Sequence, residues 1–113
     1  MDRVSLRIED QGGGVVRLTA HGAVTQETNA ELKAAFERVL AGKPRRVDFD
    51  CAGVDYIASA GVGALVSLLR KLRESNATLR ILNLQPDIAQ LFAVTHLDKI
   101  FTVERETAAE TAR

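Results

Sequence analysis

Only one cysteine is present, Cys51, so no disulfide can form within the chain, and no second thiol is available for a redox pair or a thiol-rich zinc site. A reducing compartment, the cytoplasm, suits such a chain best. Charge of one sign is not in excess either: lysine plus arginine and aspartate plus glutamate both number 15. With no net positive field to hold a polyphosphate backbone, nucleic acid is not expected as a partner. The short basic runs, Lys43 with Arg45 and Arg46, and Arg70-Lys71 with Arg73, read as solvated loop and helix surface. Long apolar runs are missing as well. The longest mainly apolar stretch, Ala60 to Leu69, is about half of the ~20 residues that cross a bilayer, and Met1 to Leu6 alternates polar with apolar residues instead of forming the apolar stretch of a signal peptide. Neither direct membrane insertion nor export is expected. Histidine is scarce: His21 and His96 are far apart, and neither has carboxylates or thiols at ligand spacing, so no metal or other cofactor is expected.

What the chain does contain is a core's worth of apolar residues, 46% of 113, arranged in clear periods. That length supports one hydrophobic core and not two of usual size. Val4, Leu6 and Ile8 alternate with polar neighbours, as do Val16, Leu18 and Ala20 after Gly12-Gly13-Gly14, so a hairpin of two strands is expected. The glycines lead from strand to strand, whereas a phosphate-cradling loop leads from strand to helix. Leu32, Ala35, Phe36, Val39 and Leu40 then recur at three- and four-residue steps, predicting a helix that Thr25 or Thr28 caps and that Gly42 with Pro44 ends. Val47, Phe49 and Cys51 predict a third strand. Ser59 to Arg73 predicts a second helix, buried along Val62, Leu65, Val66, Leu69 and Leu72. A fourth strand is expected through Leu79, Ile81, Leu82 and Leu84, a third helix from Pro86 with Ile88, Leu91 and Phe92 inside, and a last strand over Lys99 to Val103. The whole predicts an α/β fold of order β-β-α-β-α-β-α-β, a mixed sheet of about five strands with three main helices packed on it. Residues 1–103 form the domain and 104–113 a polar tail.

Catalysis needs convergent groups, and none emerges. Asp48, Asp50 and Asp55 flank no nucleophile and read as solvated carboxylates, with Asp50 placed at a strand's C-terminal end, where α/β folds often put function. The chain is not expected to be an enzyme. Ser59 stands out by position: it precedes Ala60-Gly61-Val62-Gly63 and is expected as the N-cap of the second helix. Gly61 and Gly63 are poor helix formers that leave the first turn uncovered. A phosphoserine there would carry about −1.5 to −2 charge against unpaired amides and the positive end of the helix dipole, and would repel a partner that had packed apolar or acidic groups at this opening. Such a site is a local electrostatic switch.

The run from Val47 to Gly63, with the His21-Gly22-Ala23-Val24 turn, the Asn83-Leu84-Gln85-Pro86 segment and the ending Thr95 to Phe101, resembles the STAS domain family, in particular its anti-sigma factor antagonists. The resemblance implies a STAS-like domain that binds an anti-sigma factor with serine kinase activity while unphosphorylated, is released on phosphorylation of Ser59, and is reset by a serine phosphatase. It also implies a partner surface around Ser59 made by Gly22, Thr25, Asp50, Ile57, Ala58, Gly61 and Val62. Ala58 stands where the family usually has an acidic residue, Ala60 where it has serine or threonine, and His96 where it often has glycine. The alternative within the same resemblance is a STAS subunit of an ABC-type lipid transport system, whose helix start docks on an ATPase without phosphorylation.

Overall fold

The computed structural model describes residues 3–106. Its elements are β1 (Val4–Gly12), β2 (Val15–Val24), α1 (Asn29–Ala41), β3 (Arg46–Ile57), α2 (Ser59–Glu74), β4 (Thr78–Leu82), α3 (Pro86–Val94), a 3-10 turn (Leu97–Lys99) and β5 (Thr102–Glu104). This is the predicted order. One five-stranded sheet forms in the order β1-β2-β3-β4-β5. The hairpin β1–β2 is antiparallel, and β2, β3, β4 and β5 run parallel to one another. All three glycines of the hairpin turn take positive φ, 83°, 63° and 81° at Gly12, Gly13 and Gly14, which side-chain-bearing residues adopt only under strain.

Each parallel connection carries its helix across the sheet, and the right-handed sense of such crossovers places all of them on one face. There Leu18, Ala20, Val47, Phe49, Val54, Leu79 and Ile81 of the strands meet Leu32, Phe36 and Val39 of α1, Leu65, Leu68 and Leu72 of α2, and Ile88 and Phe92 of α3. Phe36 packs edge-on against Phe49 with ring centroids 5.7 Å apart. The opposite face of the sheet carries the alternate side chains of the same strands, Arg17, Thr19, Asp48, Asp50 and Arg80 among them, together with the fully buried Leu82.

Several expectations need correction. The third strand does not stop at Cys51; it continues to Ile57, because β2 pairs with it as far as Val24 opposite Ile57, through two register shifts. Asp50 therefore lies in mid-strand and not at a strand end. The α2 stripe is rotated: Gly61, Ala64, Leu65, Leu68, Leu69 and Leu72 are buried, while Val62 and Val66 are half-buried at its border. In α3 only Ile88 and Phe92 are buried, and Leu91 faces outward. Lys99 ends the 3-10 turn, and the last strand is Thr102–Glu104, so Glu104 is in the sheet and not in a tail. The tail's residues 107–113 lie outside the described residues. Thr28 occupies the N-cap position of α1 without capping it; its Oγ1 accepts the Thr25 N–H at 2.8 Å and donates to the Ala23 carbonyl at 2.8 Å, closing the β2–α1 loop on itself.

Candidate functional site

The start of α2 is positioned by the end of β2. Ala58 N–H donates to the Val24 carbonyl at 2.7 Å, and the Ala58 carbonyl then accepts the amides of Gly61 and Val62 at 2.9 and 3.2 Å, beginning the helix. Ala58, with extended backbone (φ −82°, ψ 165°), is thus the N-cap, and Ser59 is the first helical residue. The expected serine cap is corrected here: the backbone alone starts the helix, and Ser59 is freed from that task. Its side chain is exposed, and its hydroxyl makes no hydrogen bond within the described residues. The amides of Ser59 and Ala60, at the open end of the helix, have no carbonyl four residues back to meet. No acidic residue stands in this first turn.

The two glycines behind Ser59 differ in surroundings. A Cβ on Gly63 would meet nothing within 4 Å, so this side of the helix is open. Gly61 is buried instead, and a Cβ there would come within 2.5 Å of Val24 Cγ1 and 3.2 Å of Ile57 Cγ2. Gly61 serves as the point where the helix start presses onto the strands; it is not a surface residue. That corrects its expected place in the partner surface.

Of the other expected surface residues, Ala58 and Val62 are half-buried beside Ser59, and Ile57 is buried beneath it. Gly22 and Thr25 are brought to the same end by the β2–β3 register, with Gly22 opposite Val54 and Val24 opposite Ile57. Each has a structural task there. Gly22 has φ 103°, and a side chain would collide with the Arg3 carbonyl. Thr25 is buried and shares hydrogen bonds with Thr28. Thr25 and Ala58 line an open depression with Ala23, Gln26, Glu27, Asp55 and Tyr56. Tyr56, 54% exposed, is an aromatic ring that sequence reasoning passed over; its outward position between Asp55 and buried Ile57 in an extended strand is the signal that could have found it. Glu27 on the rim has its carboxyl lowered, chiefly by a hydrogen bond from Thr25.

Asp50 is not part of this constellation. It precedes Ile57 by seven residues on β3, on the order of 20 Å of extended chain. On the polar face of the sheet its Oδ2 accepts from Arg17 Nη2 at 2.7 Å, and its Oδ1 accepts from Asn83 Nδ2 at 3.2 Å. Arg17 also donates to Glu106 at 2.6 and 2.9 Å. The hydrogen bond from Arg17 is the largest influence that draws the Glu106 carboxyl down to about 2; burial opposes it and Asn83 assists it. Next to this group, Asp48 is buried and accepts two hydrogen bonds from Arg80 at 2.9 and 2.8 Å, with Arg46 Nε 3.1 Å away. Burial alone would raise the Asp48 carboxyl, and the Arg80 and Arg46 guanidiniums outweigh it and hold it low. Asp48 and Asp50 are therefore paired, which corrects their expected reading as solvated carboxylates, while Asp55 is exposed. Arg17, Arg80 and Glu106 were not singled out from sequence; for Arg17 and Arg80, opposite charges at the polar positions of neighbouring strands were the available signal, while Glu106, beyond β5, offered none. Cys51 is fully buried, and burial pushes its thiol up, away from reactivity. Among the described residues, no helix is long and apolar enough to cross a membrane.

A family model described as "Mlab, STAS domain" matches residues 8–104. A relative from Bordetella bronchiseptica named as the anti-sigma factor antagonist BtrV is 28% identical over 102 residues, 88% of each chain. Among solved structures, an anti-sigma factor antagonist from Mycobacterium paratuberculosis superposes with a TM-score of 0.82 at 23% identity, covering 96% of this chain and 90% of its own. The phosphorylated form of the Bacillus cell fate determinant SpoIIAA superposes at 0.74 and 16% identity, covering 96% of both chains. At such identities the superpositions speak for the fold.

Proposed function

This chain belongs to the STAS domain family, and from that premise we propose that it is an anti-sigma factor antagonist that works by partner switching. Unmodified, it binds an anti-sigma factor with serine kinase activity through the start of α2 and so releases the sigma factor. Phosphorylation of Ser59 breaks the complex, and a serine phosphatase restores it. The single observation that supports this most is the state of Ser59: an exposed hydroxyl on the first turn of a helix whose cap is supplied by another residue. A phosphate there would be met by the free amides of the first turn and by the positive end of the dipole, with no carboxylate in that turn to oppose it. The domain can hold the modified residue without unfolding. A partner packed against Ser59, Val62 and the open side at Gly63 would have to desolvate a dianion, which is costly unless it is paired. The family resemblance and the relative named as an antagonist support the same reading.

Titration calorimetry with the cognate anti-sigma factor tests it. Ser59→Asp places a fixed charge at the helix start and is expected to weaken binding by tenfold or more, while Ser59→Ala binds like the wild type. Ser59→Asp binding undiminished would contradict the switch. Ala58 and Ala60, which replace the polar neighbours usual around the serine, favour a second reading, a STAS subunit docking on the ATPase of a lipid transport system. Retained binding of Ser59→Asp to a co-purifying ABC ATPase would support that reading instead.

A further inference from the structure

We propose that the outer edge of β1 is a self-pairing surface, and that two copies of the chain join their β1 strands antiparallel about a two-fold axis at Leu6. This does not rest on the function proposed above. β1 is an edge strand, and among the described residues nothing pairs with its outer side. Arg3 lies opposite Ala23 and accepts its amide at 3.0 Å, so the residues in step with Arg3, namely Ser5, Arg7 and Glu9, turn their backbone groups toward β2. The amides and carbonyls of Val4, Leu6 and Ile8 consequently point outward. Edges of this length are commonly blunted by proline, by an inward-pointing charge or by a bulge. Here the strand is regular from Val4 to Asp10, and its one irregularity comes at its far end, between Asp10 and Gly12.

The side chains favour this one register. Val4, Leu6 and Ile8 face the helix side, pack against the core and remain only half-buried in the single chain. With the axis at Leu6, Leu6 meets Leu6 and Val4 meets Ile8 twice, so all the outward-pointing backbone groups of these residues form hydrogen-bonded pairs flanked by apolar contacts. On the polar face Arg3 meets Glu9 twice, and Ser5 meets Arg7 twice, as non-hydrogen-bonded pairs whose side chains approach most closely. Shifting the axis to Arg7 would oppose two guanidiniums, and shifting it to Ile8 would set Leu6 against Asp10. The register at Leu6 alone satisfies both faces.

Ser5 provides a test with a sign, because it is exposed and lies opposite Arg7 of the second copy. Sedimentation equilibrium of the full chain over a wide concentration range is expected to show a reversible dimer. Ser5→Glu should tighten it and Ser5→Lys should loosen it, each by about three- to tenfold in dissociation constant, since two copies of the pair form per dimer. Amide hydrogen exchange should show Leu6 and Ile8 becoming protected as concentration rises, while their neighbours Ser5 and Arg7 stay unchanged. A chain that remains monomeric at millimolar concentration overturns the proposal. So does a dimer that Ser5→Glu and Ser5→Lys shift in the same direction or leave alone, or one that forms without protecting Leu6 and Ile8.

Discussion

Gly61 and Gly63 stand two residues apart in α2, and a methyl group at each would meet opposite surroundings. At Gly63 it meets open space, so Gly63→Ala gains the helix propensity of alanine and should raise stability by about 0.5–1 kcal/mol. At Gly61 it meets Val24 Cγ1 at 2.5 Å, a branched side chain that is itself 1% exposed and has nowhere to go. Gly61→Ala should therefore lower stability by about 1–3 kcal/mol despite the same propensity gain. Urea denaturation of the two variants beside the wild type measures both signs, and a destabilised Gly63→Ala or a stabilised Gly61→Ala would contradict the roles given to them. From sequence the pair looked equivalent. A glycine that leaves a surface open and a glycine that lets two elements touch have the same local pattern, and only the position of Val24 across the β2–β3 junction separates them. Ser59 was similarly half legible: its place at the helix start follows from the pattern around it, but its release from capping depends on Ala58 N–H reaching the Val24 carbonyl, a tertiary contact.

Between elements, the least legible feature is the charge network on the polar face of the sheet. Asp48, Asp50, Arg17 and Arg80 occupy alternate strand positions that read as solvent-facing, and they become partners because β2, β3 and β4 align side by side. Glu106 closes this network from beyond β5. Its amide donates to Asn83 Oδ1 at 2.9 Å, and its carboxylate bonds to Arg17, so the chain leaving the sheet's last strand is tied back to β2 and to the residue that follows β4. The Glu106 carboxyl titrates near 2 in the folded protein against an ordinary 4.5, a depressed value. The folded state thus gains from its ionisation above about pH 4.5, and that gain is lost as pH falls through about 2. Glu106→Gln should be less stable than the wild type by about 1–2 kcal/mol near neutrality, and the gap should narrow steadily below pH 4.5. Denaturation midpoints of both chains along a pH series measure this; a gap that stayed constant or widened toward acid would show that Glu106 is not held as an ion. The longer span of β3 was hidden for a related reason. Ala52-Gly53 looks like a strand's end, but the register shifts in the β2–β3 pairing absorb it.

Across the whole molecule, the polar sheet face and the helix start are separate regions. On β2, β3 and β4 the charges of that face, Arg17, Asp48, Asp50 and Arg80, are already paired, whereas Ser59, Val62, Gly63 and Tyr56 carry no charge of their own, so one added charge there would change what the protein presents. The fold was legible in the sequence because the two-residue and three-to-four-residue periods of its apolar residues are clean and its turns are punctuated by Gly12-Gly13-Gly14, Gly42 with Pro44, and Pro86. Of the residues expected in a partner surface, those around Ser59 share the start of α2, while Asp50 lies on the polar sheet face and Gly61 is buried. The most direct measurement is the stoichiometry and position of phosphate after incubation with the cognate anti-sigma factor kinase and ATP, read by mass spectrometry. The result expected is one phosphoryl group per chain, on Ser59, with loss of the complex. A wild-type chain that gains none, or a Ser59→Ala chain that gains one to the same extent, would contradict it.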